Sequence, residues 1–193
     1  MLNRLESYLI QIIKGDKKGI RAKIVLFFLS LMELIYLVII KIRNKLYQFN
    51  WFKSKKIEAT VISIGNITGG GTGKTPLVDK VAKELNKFEK NIAVLSRGYQ
   101  GKNEKPKIVK ENKNFKKSIE KYGDEALMLN RQLSGIPIII GKKRYESGKK
   151  AVNSLNTKII ILDDGFQHRQ LDRDLDILII DALNPFGYNH LIP

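Results

Sequence analysis

Cysteine is absent from this 193-residue chain, which excludes disulfides and thiolate zinc sites and suits a reducing compartment. Histidine is nearly as scarce. His168 has neither a second histidine at ligand spacing nor a cysteine to help it, so a transition-metal centre is not expected. Acidic side chains number 19 against 35 basic ones, leaving a net charge of +16. Such an excess fits nucleic acid, an anionic membrane or an acidic substrate, and lysine-rich composition can equally be a genomic habit. A nucleic-acid module would need clustered basic residues interleaved with stacking aromatics, and no such array is present; nucleic acid is therefore not an expected partner. Internal repeats and low-complexity segments are also missing. With 43% apolar residues, the length allows one α/β domain plus an appendage.

The appendage is expected at residues 1–56. Residues 2–13 have the spacing of a short amphipathic helix, and the charged stretch 15–19, bounded by glycines, breaks it. Residues 24–40 are then apolar or aromatic except for Ser30 and Glu33, with Arg21 and Lys23 before them and Lys41, Arg43 and Lys45 after. As a helix this run covers about 26 Å, short of the ~30 Å hydrocarbon core. Glu33 near its middle would be costly against lipid. An interfacial helix with basic flanks on phosphate head groups is predicted, the alternative being a helix packed on the domain or on a partner subunit. A secretory signal fits less well, because the run starts late and lacks a small-residue cleavage site.

The chemistry begins at residues 61–76, VISIGNITGGGTGKTP. Val61, Ile62, Ser63 and Ile64 read as a buried strand, residues 65–73 as a glycine-rich turn, and Leu77, Val78, Val81 and Leu85 have helical spacing after Lys74. Glycines let the backbone approach anionic oxygens closely enough for several N–H groups to point at them, and the helix adds its positive end. ATP is the implied ligand. Thr68, Gly69, Gly70, Gly71, Thr72, Gly73, Lys74 and Thr75 are its predicted contacts, with Lys74 on the β and γ phosphates and the Thr75 hydroxyl on Mg²⁺. The strict spacing G-x-x-x-x-G-K-[ST] would place glycine at Thr68, a departure. The partition-ATPase variant would need lysine at Gly69. A GTPase would need Asn-Lys-x-Asp late in the sheet, and its nearest imitation, Asn86-Lys87-Phe88-Glu89, lies beside the first helix.

A mainly parallel sheet flanked by helices is predicted for residues 57–193. Residues 91–95 form its next strand, running into Ser96 and Arg97 at the edge where such sheets bind ligands. The lysine-rich residues 102–117 read as an exposed excursion with a brief β-like stretch near 107–109. Asp124 is the natural N-cap of a helix carrying Ala126, Leu127, Leu129 and Leu133. Residues 136–140 are a buried strand, and a basic helix containing Arg144 covers about 142–155. Residues 158–164, KIIILDD, bring Asp163 and Asp164 to the end of a central strand, where Mg²⁺ would need an acidic partner. His168 follows in the next turn, placed to contact phosphate or to orient one of these aspartates. Residues 175–180 read as another buried strand, and 184–193 as a loop with no helix to close it.

Taken in order, IGNITGGGTGKTP, LSRGYQGK, YGDEALML, IIIGKKR and LDDGFQHRQLDRDLDILIIDALNPFG resemble the tetraacyldisaccharide 4'-kinase (lipid A 4'-kinase) family. The resemblance covers residues 58–193 and is most specific in DDGFQHRxLxRDLDI. It implies a P-loop NTPase-like fold and transfer of the ATP γ-phosphate to the 4'-hydroxyl of tetraacyldisaccharide 1-phosphate, at the cytoplasmic face of the bacterial inner membrane. It makes Asp124 the catalytic base, with Lys74 and the loop amides stabilising the transferring group and Thr75 with Asp163 or Asp164 holding Mg²⁺. Arg144, His168 and Arg169 become candidates for substrate or phosphate contact. Family members continue well past the Asn-Pro-Phe-Gly loop, so the chain resembles an N-terminal fragment with little or no kinase activity alone. The rival reading is a membrane-associated regulatory P-loop ATPase.

Overall fold

The computed structural model describes residues 2–13, 15–67, 73–98, 105–110, 115–182 and 185. The chain divides into two compact units, residues 1–52 with 181–193, and residues 53–180.

In the first unit, α1 (Leu2–Ile13) and α2 (Ile20–Gln48) are in contact, separated by a turn through Gly15 and Gly19. α2 extends well beyond the apolar run, because the lysine and arginine residues that dominate its flanks are themselves good helix formers. Its 29 residues make it about 43 Å long. By length and composition it is the one helix among the described residues able to cross a bilayer, and its most apolar window is wholly unburied. Phe27, Phe28 and Leu34 are each more than half exposed.

The second unit is a six-stranded sheet in the order β3-β4-β2-β5-β1-β6, with β1 Thr60–Asn66, β2 Ile92–Ser96, β3 Lys107–Ile108, β4 Ile138–Ile140, β5 Ile159–Asp163 and β6 Leu175–Ile179. Every pairing is parallel except β3 with β4. This is the α/β architecture predicted, with the KIIILDD strand at its centre between β2 and β1.

Side chains alternate between two apolar layers, as the strand period of two requires. Ile64, Ile92, Val94, Ile138, Ile140 and Ile161 face α3 (Lys74–Phe88), through Val78 and Ala82, and α5 (Asp124–Gln132), through Leu127 and Leu129. Val61, Ala93, Leu95, Ile139, Ile160 and Leu162 face the other way, toward Ala151 of α6 (Arg144–Leu155). Both faces of β2 and β5 are thus covered, which explains their unbroken apolar sequences.

Three expectations are corrected. The brief β-like stretch near 107–109 is there, as Lys107 and Ile108 pair antiparallel with β4, but the described residues of 102–117 are not simply an exposed excursion, since Val109 is buried and α4 (Phe115–Tyr122) begins there. α4 buries Ser118 and Tyr122 on one side while its lysines face water, and the lysine-dominated composition hid that amphipathic spacing. β6 is not a buried strand. Among the described residues it is an edge strand with β1 as its only neighbour, and Leu175 is 50% exposed. Finally, the cap of α5 is Gly123, at φ 87°, and Asp124 is the first helical residue. The predicted loop at 184–193 lies outside the described residues except for Pro185.

Candidate active site

Parallel strands deliver their carboxyl ends to one edge, and three of them bring polar groups there: Asn66 from β1, Ser96 from β2 and Asp163 from β5. α3 starts at the same edge. Its first residue, Lys74, follows Gly73, whose φ of 80° is a left-handed conformation suited to glycine. Pro76 sits in the first turn, where a missing N–H costs no helical hydrogen bond. Thr75 is half-buried beside Lys74. Thr68, Gly69, Gly70, Gly71 and Thr72 lie outside the described residues.

Lys74 is held between two oxygens. Its Nζ donates to Asn66 Oδ1 at 2.8 Å and lies 3.4 Å from Asp164 Oδ1. Asp164 reaches it from a left-handed backbone at φ 55°, which aspartate tolerates better than most residues. The turn that follows is fixed by close packing. A Cβ on Gly165 would lie 2.6 Å from Leu162 Cβ and 2.8 Å from Ser63 Oγ, and one on Gly65 would lie 2.5 Å from Phe166 Cβ. Only bare backbone lets the end of β1 and this turn approach so closely.

Asp163 points into a drier place than Asp164. Burial raises its carboxyl above the ordinary 3.8; the Arg144 guanidinium and a hydrogen bond from Ser96 oppose this, and the charges of Asp164 and Glu125 add to it. The charge of Glu125, near the start of α5, thus reaches Asp163 at the end of β5. Asp124, next to Glu125, is exposed, and its Oδ1 accepts the Glu125 N–H at 3.0 Å. Arg144 is 4% exposed. Its Nη1 donates to the Gly141 carbonyl at 3.0 Å and its Nη2 to the Asp163 carbonyl at 3.1 Å. Burial pushes its guanidinium down to about 10, against the pull of Asp163 and Asp164, so it stays charged at neutral pH. This places Arg144 beneath the aspartates, with two of its nitrogens on backbone carbonyls. His168 and Arg169 continue the turn: the His168 N–H donates to the Gly165 carbonyl at 2.9 Å, and the Arg169 carbonyl accepts from Ser54 Oγ at 2.7 Å.

Residues 25–193 match the family model described as tetraacyldisaccharide-1-P 4'-kinase, LpxK. The chain belongs to this family. A curated LpxK-family relative, the tetraacyldisaccharide 4'-kinase of Halothermothrix orenii, is 49% identical over all of this chain and half of its own length. That of Syntrophus aciditrophicus is 40% identical over 86% of this chain and 44% of its own. A crystal structure of the "apo" form of LpxK from Aquifex aeolicus in complex with ATP superposes with a TM-score of 0.70 at 41% identity, over 78% of this chain and 47% of that one. The chain spans about half the length of the curated relatives it matches.

Two residues in the LpxK-like stretch after DDGFQH escaped the sequence reading. Arg173 Nη1 donates to the carbonyls of Gly165 at 3.2 Å and Phe166 at 2.7 Å, while Nη2 lies 3.4 Å from Asp176. Asp174 accepts the Val61 N–H at 2.7 Å. One clasps the turn that presents Asp164, and the other ties that turn to the start of β1. Their partners lie too far away in sequence, or on too irregular a turn, for any periodicity to announce them.

Proposed function

We propose that this chain carries the ATP site of a tetraacyldisaccharide 4'-kinase, and that the whole protein transfers the γ-phosphate of ATP to the 4'-hydroxyl of tetraacyldisaccharide 1-phosphate in lipid A biosynthesis. The observation that carries the reading is the meeting of Lys74, from the start of α3, with Asp164, from the end of β5. A cation for the β and γ phosphates and the carboxylates of a metal-binding strand end converge at one sheet edge, in a chain of this family. The ATP-bound Aquifex aeolicus relative supports the nucleotide assignment.

Residues 68–75 cradle the phosphates in this reading, Lys74 offsets charge on the transferring group, and Asp124 takes the proton of the attacking hydroxyl. Its exposure at the start of α5 leaves Asp124 open to an acceptor. Arg144 supports the floor of the site, and His168 and Arg169 contact phosphate or acceptor in this reading. The donor set of Thr75, Asp163 and Asp164 is all oxygen and suits Mg²⁺, which needs only one or two carboxylates when phosphates supply further ligands. When bound, Mg²⁺ neutralises charge on the phosphate oxygens. Residues 1–56 are the membrane-associated segment and 57–193 the kinase domain, with the basic-flanked α2 against the cytoplasmic face of the inner membrane.

The test is transfer of radiolabelled γ-phosphate to the disaccharide 1-phosphate, with the Halothermothrix orenii relative as positive standard. This chain is expected to bind Mg-ATP and to give at most weak transfer, abolished by Asp124→Ala. Hydrolysis of ATP with no response to the lipid acceptor, in both proteins, would overturn the kinase reading in favour of a regulatory ATPase.

A further inference from the structure

A buried polar side chain at the end of β1 has no task in the chemistry above. Asn66 is 6% exposed and sits in register with Ile179 of β6. Its Oδ1 accepts the 2.8 Å hydrogen bond from Lys74. The ammonium has a second neighbour of a different kind, Asp164, whose side chain is 66% exposed. The two anchors answer an arriving phosphate differently. An exposed carboxylate can turn to water at little cost, whereas an amide rooted in an inner strand, with β5 and β6 on its two sides, cannot leave.

We infer that Asn66 is a positioning residue for the phosphate-handling lysine. Its amide oxygen fixes the direction of the Lys74 ammonium without neutralising it, and Asp164 is the partner that yields to phosphate. The chemistry favours this division. An ammonium has three donors and no acceptor, so one spent on a neutral oxygen leaves two, and the full charge, for an anion. A carboxylate in the same place would compete with the nucleotide for that charge. An aliphatic side chain would leave a flexible four-carbon stem undirected. The inference rests on reading residues 68–75 as a phosphate loop.

The experiment is a double-mutant cycle on the whole chain, with Mg-ATP affinity measured by calorimetry and folding followed by thermal melts. Asn66→Leu is expected to weaken Mg-ATP about tenfold, the loss that fits one hydrogen bond to a charged group. Lys74→Met should weaken it at least as much. In the Lys74→Met background Asn66→Leu should cost nothing further, because its effect passes through the lysine. Losses that add instead would overturn the inference, as would a wild-type affinity in Asn66→Leu while Lys74→Met is impaired; the phosphate-loop reading would survive both results. A wild-type chain that binds no Mg-ATP would overturn that reading and this inference with it. Should Asn66→Leu fail to fold, Asn66→Ala replaces it in the cycle. It removes the acceptor without adding charge, and is expected to weaken Mg-ATP only while Lys74 is present.

Discussion

Asp163 carries a carboxyl group that its surroundings favour in the protonated form. Its folded-state pKa is raised above 3.8, chiefly by burial, so the folded chain binds this proton more tightly than the unfolded one. The associated stability is present below the unfolded value and lost as pH rises through the folded one. Asp163→Asn mimics the neutral form and should raise the melting temperature at pH 7, with the advantage over wild type shrinking as pH falls toward 3.8. The same variant should bind Mg-ATP more weakly, because a neutral amide is a poor partner for a magnesium-bound site. Melting curves across pH beside calorimetry at pH 7 check both halves. A lower melting temperature at pH 7 would mean that the Arg144 pairing outweighs burial.

At the scale of elements, the apposition of the end of β1 with the DDGF turn decides where Lys74 and Asp164 meet. Gly65→Ala forces a methyl group to within 2.5 Å of Phe166 Cβ and 3.0 Å of its backbone nitrogen. Overpacking of this kind costs about 1–3 kcal/mol. Urea denaturation should show that loss, and Mg-ATP affinity should fall with it, since the turn that moves is the one carrying Asp164. Unchanged stability would mean the turn gives way freely. Most of these elements were legible in the sequence. β2 and β5 read as strands because burial on both faces leaves an uninterrupted apolar run, β1 because only Ser63 interrupts its apolar residues before a glycine-rich turn, and α3 because Leu77, Val78, Val81 and Leu85 follow that turn. α4 was not legible, since lysines mask its single buried side. The edge position of β6 was not either, because strand order is a tertiary outcome. Of the site, Lys74, Asp163 and Asp164 could be read from motif and strand end. The Asn66 bond to Lys74, the Arg173 clasp and the tie from Asp174 to Val61 depend on how separate segments approach, which no local pattern encodes.

For the molecule as a whole, α2 sets the solvent it needs. A 29-residue helix with an unburied apolar window and basic flanks leaves a surface that water does not favour. The chain is expected to co-sediment with vesicles containing anionic lipid. The combined variant Phe27→Ser, Phe28→Ser and Leu31→Ser should weaken that binding more than tenfold, since each apolar side chain buried in lipid contributes about 1.5–3 kcal/mol. Binding that survives the triple variant and disappears in high salt would assign the attachment to charge alone.

The strand order also sets a timetable for synthesis. β1 lies between β5 and β6, so Thr60 pairs with Ile159 and Ile62 with Leu175. Both neighbours are translated after everything else in the sheet. At roughly 5–20 residues per second, about five to twenty seconds separate the emergence of β1 from that of its first partner. Throughout that interval the nascent chain exposes an apolar strand with both hydrogen-bonding edges open. The segment that will hold Asn66 in place is thus the one longest exposed to mispairing during translation.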